Sequence, residues 1–190
     1  MTVVAPGSAE EVRQLLPQIL HLPGPCYLRI GGFGEPDYPA AEAAVLGRAR
    51  LLQGGEDLAV LSTGSMAGVV AQALVRLAAE GCRPIAYQVH TVKPLDTAVL
   101  ERLARAVRAI VVVEEHVPGG GLAAAVSAWE AAQQEDAPRV VRVGPLDRLA
   151  LGNLSLAELR RRMAYDADAV AAACWRALGN RCVPAACTVA

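Results

Sequence analysis

Short β-branched runs alternate with longer stretches of helical period along most of the chain. Residues 2–5 (TVVA) form the first run, which Pro6 and Gly7 end. Ser8 with Glu11 three positions on is a capping box, and the apolar positions behind it predict a helix over residues 9–21. Pro23, Gly24 and Pro25 stop that helix, and residues 26–30 (CYLRI) read as a second strand closed by Gly31 and Gly32. Two strands and one helix cannot cover a sheet of their own, so residues 1–32 are expected to complete a larger unit. The segment 33–42 (FGEPDYPAAE) has two prolines, three acids and no period, which places a linker over residues 33–44.

Beyond the linker the pattern becomes regular. Strands are expected at residues 44–53, 58–62, 84–90, 109–114 and 140–143, and helices at 65–80, 95–106, 122–134, 155–163 and 166–178. Buried strands alternating with helices of this length imply an α/β fold, a mostly parallel sheet covered on both faces in three layers, over residues 45–178. Residues 179–190 have no period and form a tail that is loose or docked on a partner.

Composition narrows the function classes. Of 190 residues, 54% are hydrophobic and 19% charged, enough to build a core without disulfide staples. Eighteen Lys and Arg against nineteen Asp and Glu leave a net charge of −1, so no general field draws nucleic acid or an anionic membrane. The five cysteines are odd in number and form no C-x-x-C pair, which argues for a reduced, cytoplasmic protein without a metal site. The N-terminus lacks the basic and apolar regions of a signal peptide. Residues 58–75 carry no charge over eighteen positions, yet Ser62, Thr63, Gly64, Ser65 and Gly68 divide them into strand, turn and helix, so no membrane span is expected.

Chemistry in such a sheet is sought beyond the carboxyl ends of the strands, after Ser62, His90, Glu115 and Val143. Thr63-Gly64-Ser65 opens a helix but lacks both the G-x-G-x-x-G spacing and the Walker lysine, and Ser65 reads as an N-cap. It is no nucleophile elbow either, because Ser65 directly follows Gly64. In residues 90–96, Pro94 suits a first helical turn, Lys93 is held extended before it, and Asp96 favours the positive helix end. Lys93 is also a candidate amine, but its activation needs a desolvated pocket. The most polar cluster is Glu114, Glu115 and His116, followed by Gly119, Gly120 and Gly121. Two carboxylates and an imidazole can perform acid–base chemistry. Consecutive strand-end residues point to opposite faces, however, which favours a structural or interface role. His21 reads as an exposed helix end and His90 as a strand-end residue.

Taken in order, TVVAPGSAEEVRQLL, GPCYLRIGG, GEDLAVLSTGSM, TVKPLD, VVVEEHVPGGGLAAAV and VRVGPLDRLALG resemble the C-terminal part of the thiamine diphosphate enzymes of the transketolase family. The resemblance covers nearly the whole chain. It implies that residues 1–32 end a pyrimidine-binding domain and that residues 45–178 form the family's C-terminal domain. It implies a split subunit, or a piece of a longer enzyme, that moves a two-carbon ketol unit. Thiamine diphosphate and magnesium would be held by partner chains, the N-terminal, cofactor-binding subunits of a hetero-oligomer built on a dimer. No catalytic residue is then expected in this chain alone. Arg29 is the implied substrate-side residue, while Lys93, Pro94, Asp96, Glu114, Glu115, His116, Gly120 and Gly121 mark structural or interface motifs. In related enzymes a second arginine stands where this chain has Gly32, which puts recognition of a phosphorylated sugar in question. The rival readings are the C-terminal part of a 2-oxoacid dehydrogenase β component, a noncatalytic scaffold, and a stand-alone small-molecule binder that uses the strand-end loops.

Overall fold

The computed structural model describes residues 1–32, 38, 42–133 and 137–179. Most of the expected linker and the tail beyond residue 179 lie outside these residues, as does the expected helix end at Gln134.

The opening segment is a strand, a helix and a strand: β1 (Thr2–Val4), α1 (Ala9–Leu20) and β2 (Cys26–Leu28). Ser8 caps α1, its hydroxyl accepting the Glu11 N–H at 3.2 Å. The Glu11 carboxylate turns back onto the Gly7 N–H at 2.8 Å. The rest of the chain runs β3 (Arg50–Gln53), β4 (Ala59–Ser62), α2 (Met66–Ala79), β5 (Ile85–Gln88), β6 (Thr91–Lys93), α3 (Thr97–Ala106), β7 (Ala109–Val113), α4 (Gly121–Ala131), β8 (Arg139–Val143), α5 (Leu156–Arg162) and α6 (Ala167–Ala177).

Five strands form the main sheet in the order β3-β5-β4-β7-β8, parallel except where β3 runs antiparallel to β5. The pleat sorts its side chains into two cores. Leu58, Val60, Val111 and Val113 pack under α2 and α6 on one face, while Ala59, Leu61, Ile110 and Val112 pack under α3 and α4 on the other. This is the expected three-layer α/β arrangement, with Leu58, Val60, Leu61, Ile110 and Val112 wholly buried.

Two expected strands differ from the sequence reading. The run at 44–53 becomes a strand only from Arg50, because the side chains of α1 take up the backbone before it. Gln14 accepts the Ala44 N–H at 2.6 Å, and Gln18 donates to the Ala44 carbonyl at 3.0 Å and accepts the Leu46 N–H at 2.9 Å. The run at 84–90 ends at Gln88, and the following Thr91–Lys93 leaves the main sheet. It pairs antiparallel with β1, giving a second sheet of order β2-β1-β6. Local periodicity cannot reveal such a change of sheet, since the pairing partner lies about ninety positions away in sequence.

The opening segment is locked to the main sheet by further bonds at this seam. Ala5 N–H donates to the His90 carbonyl at 2.7 Å, and Gly64 N–H to the Ala5 carbonyl at 3.1 Å. The buried Glu11 carboxylate meets Arg50 Nη1 at 3.4 Å. A Cβ on Gly7 would meet Gln88 Nε2 at 2.6 Å and the Gly64 carbonyl at 2.7 Å, so only glycine permits this approach.

Candidate functional site

The strand order fixes where a site can form. The chain passes from β4 leftward to β5, then crosses to β7 and β8 on the other side, so the crossovers diverge between β4 and β7. In open α/β sheets the crevice beyond the carboxyl ends at such a switch point receives ligands. Thr63 follows β4 there, and Glu114 with Glu115 follows β7. These three residues line a cleft of about 810 Å³ that also receives Arg29, Lys93, His116 and Gly121. The fold thus collects Arg29, Lys93, Glu114, Glu115, His116 and Gly121 from separate segments of the chain. Pro94, Asp96 and Gly120 do not line the cleft.

The two carboxylates diverge. Glu114 is fully buried, accepting the Leu122 N–H at 2.7 Å, the Ala123 N–H at 3.3 Å and Arg142 Nε at 3.1 Å. It therefore occupies the positive end of α4. Arg142 also reaches the carbonyls of His116 and, at 2.9 Å, Pro145, which ties the loop after β7 to the loop after β8. Gly121 makes this possible: its φ is +68°, and a Cβ would collide with Glu114 Oε2. Gly120 lies under the His116 ring, with Cε1 2.6 Å from where its Cβ would stand.

Glu115 faces the other way. Ser65 Oγ donates to Glu115 Oε2 at 2.5 Å, and Arg160 from α5 binds Oε1 through Nη2 at 2.8 Å and Nε at 3.1 Å. Ser65 therefore stands at the N-cap position of α2 without a side-chain capping bond, contrary to the sequence reading, because Glu115 and Arg160 claim its hydroxyl. With both carboxylates ion-paired, the cluster acts as a brace between loops. His116 is exposed, its Nδ1 2.8 Å from the Val117 carbonyl.

In the TVKPLD segment the Lys93–Pro94 bond is cis and α3 begins at Thr97, so Pro94 lies before the helix and not in its first turn. Asp96 is the N-cap of α3, accepting the Val99 N–H at 3.2 Å through Oδ1 and the Ala49 N–H at 2.8 Å through Oδ2. Arg29 is exposed, and its Nη1 sits 3.4 Å from the place of a Cβ on Gly64. Gly32 has open space around it, with nothing within 4 Å of an added Cβ. His21 is an exposed helix end bound to the Pro17 carbonyl at 2.7 Å. His90 is fully buried, with Nδ1 3.0 Å from Thr91 Oγ1, and burial lowers its pKa below the usual 6.5.

Arg142, Arg160 and the Glu11–Arg50 pair were not legible as site-forming residues. Each acts on a residue at least 28 positions away. The only local hint was the preference of a carboxylate for the start of an amide-rich, glycine-led helix.

A doubly wound sheet with this strand order, an antiparallel edge strand and these strand-end motifs defines the class, and residues 47–170 match the transketolase C-terminal domain. The chain belongs to that family. It is 33% identical over 178 residues to the 1-deoxy-D-xylulose-5-phosphate synthase of Chlorobium luteolum, covering 90% of this chain and 27% of that protein. It is 31% identical over 128 residues to one subunit of the apulose-4-phosphate transketolase of Phocaeicola vulgatus, covering 66% of this chain and 41% of that one. A split-gene transketolase, solved as an inactive β4 tetramer, superposes with a TM-score of 0.85 at 29% identity over 94% of this chain and 57% of its own. Transketolase from Pichia stipitis shares the fold, with a TM-score of 0.65 at 13% identity over 94% of this chain and 25% of its own. The chain therefore spans less than half the length of these curated relatives. Among the described residues, no helix is long and apolar enough to cross a membrane.

Proposed function

We propose that this chain is the C-terminal component of a thiamine diphosphate-dependent transketolase-like enzyme that transfers a two-carbon ketol unit. It works only with the segments that hold the cofactor, whether these lie on the same polypeptide or on partner subunits of a hetero-oligomer built on a dimer. The observation that carries this reading is the open edge of the small sheet. Among the described residues β2 pairs with β1 on one side only, Ile30 is exposed just beyond it, and Leu16 and Leu20 are exposed on α1. An unpaired strand flanked by exposed apolar side chains favours addition of further strands. Residues 1–32 are then the end of a pyrimidine-binding domain, and residues 45–178 the family's C-terminal domain. The multi-chain and split-gene relatives support the arrangement.

The described residues do not fit the diphosphate or its magnesium ion. They contain no group of three His, Cys, Asp or Glu side chains able to hold a metal. Among these residues, five of the six helix starts are taken by the chain's own side-chain oxygens: Ser8, Asp96, Ser155 and Asp166 cap α1, α3, α5 and α6, and Glu114 fills α4, while α2 starts without a side-chain cap. No catalytic step is assigned to this chain. Its part is packing, with Lys93, Pro94, Asp96, Glu114, Glu115, His116, Gly120 and Gly121 shaping the loops and Arg29 on the substrate side.

The test is reconstitution with the cofactor-carrying segments. Ketol transfer is expected from the assembled protein and not from this chain alone. Thiamine diphosphate binding and ketol transfer by the isolated chain would overturn the reading, as would an assembled protein that turns over 2-oxoacids with no ketol product.

A further inference from the structure

The cleft at the switch point has two opposed walls, and both follow from period. On the small sheet, Val3 stands beside Tyr27 on one side and Lys93 on the other, so the three side chains share one face. Ala5 and Arg29, two positions on from Val3 and Tyr27, extend that face. The opposite face of the same sheet is spent on α1, through Val4, Cys26 and Leu28. The facing wall is a stripe of α4, in which Leu122, Ala125 and Trp129 recur at helical spacing. Nothing in the described chain fills the space between them, about 810 Å³, within the roughly 300–1,000 Å³ of small-molecule sites.

The charges around this space do not cancel. Glu114 and Glu115 are neutralised by Arg142 and Arg160. Arg29 and Lys93 have no ion-pair partner among the described residues, so two cations stand over an apolar cleft. At its floor Thr63, 7% exposed, has an Oγ1 with no hydrogen-bond partner. A buried hydroxyl is rarely left unsatisfied. That oxygen is itself closed off from solvent, so the cleft offers positive charge at its rim and aromatic and aliphatic walls.

We infer that this cleft binds a small organic anion, with a phosphate or carboxylate held by Arg29 and Lys93 and an apolar or aromatic body between Tyr27 and Trp129. The cleft lies wholly within this chain, so the inference does not rest on the ketol-transfer reading and is tested without partner segments.

The probe is 1-naphthyl phosphate, titrated into the purified chain by calorimetry and by Trp129 fluorescence, with 1-naphthol and inorganic phosphate as half-ligands. Saturable one-to-one binding is expected, weakening as salt is raised. Affinity should fall about tenfold in the Arg29→Gln/Lys93→Gln double variant. Arg29 and Lys93 are exposed, so their replacement leaves the fold intact, which the thermal transition checks. Arg13→Gln, at a separate cavity beside α1, should bind as the parent does. Absence of saturable binding by the parent, or equal affinity in the double variant, overturns the inference. Equal affinity for 1-naphthol refutes the role of the cations, and equal affinity for inorganic phosphate refutes the role of the walls.

Discussion

Replacing Glu114 by alanine removes the carboxylate on which three groups depend. Leu122 N–H, Ala123 N–H and Arg142 Nε lose their partner at 2.7, 3.3 and 3.1 Å, inside a region where Glu114 has no exposed surface. Breaking one side of a buried ion pair costs about 3–5 kcal/mol, mostly through the uncompensated groups left behind. With a urea slope of about 2 kcal/mol/M for a chain of this size, the midpoint should fall by roughly 1.5–2.5 M. Glu114→Gln keeps the shape and an accepting oxygen but no charge, and should lose about half as much. Arg142→Met leaves the carboxylate its two amide donors while removing its counter-ion. The Glu114→Gln/Arg142→Met double variant should therefore show a coupling of about 1–3 kcal/mol. Equilibrium urea unfolding followed by circular dichroism measures every variant against the parent. A midpoint for Glu114→Ala within about 0.3 M of the parent would show that Glu114 braces nothing, because a surface substitution changes stability by no more than about 0.5 kcal/mol.

Gly121→Ala should lower stability by about 3 kcal/mol, since the residue has a φ of +68° and its Cβ would strike Glu114 Oε2; an unchanged melting transition would refute the close approach. His90 should make the protein less stable in mild acid. Burial holds its folded pKa below the unfolded value of 6.5, opposed in part by the Glu11 charge and aided by Arg50. As pH falls below 6.5 the unfolded chain takes up the proton first, so stability drops by up to about 1.4 kcal/mol per pH unit until the folded pKa is reached. His90→Gln should flatten that part of a stability profile measured from pH 7.5 to about 5.5, and an unaltered slope would remove His90 as its origin. The thiols of Cys82 and Cys174 are pushed up to about 11 and about 12, chiefly by burial, so at pH 8 Cys26 should be alkylated well before either when labelled peptides are mapped by mass spectrometry. Equal labelling of all three would mean that the core around α6 opens readily.

The opening capping box, the four parallel strands of the main sheet and the helices over them were written in local pattern: β-branched runs of period two, apolar stripes of period 3.6, and Ser, Asp or Gly at their ends. The motifs after β5 and β7 also stood out in the sequence as polar, proline- or glycine-marked breaks between apolar runs. Their order was enough to carry the family resemblance, which the matching domain bears out. Tertiary structure alone decided what these residues do. Thr91–Lys93 changes sheets because β1 offers it an edge; Ser65 gives up capping because Glu115 and Arg160 reach it first; and Glu114 becomes a helix brace because Gly121 lets α4 approach. Each outcome depends on a partner brought close by chain folding. Propensity and period describe only the cost of a local conformation, so they are blind to which distant donor or acceptor will satisfy it.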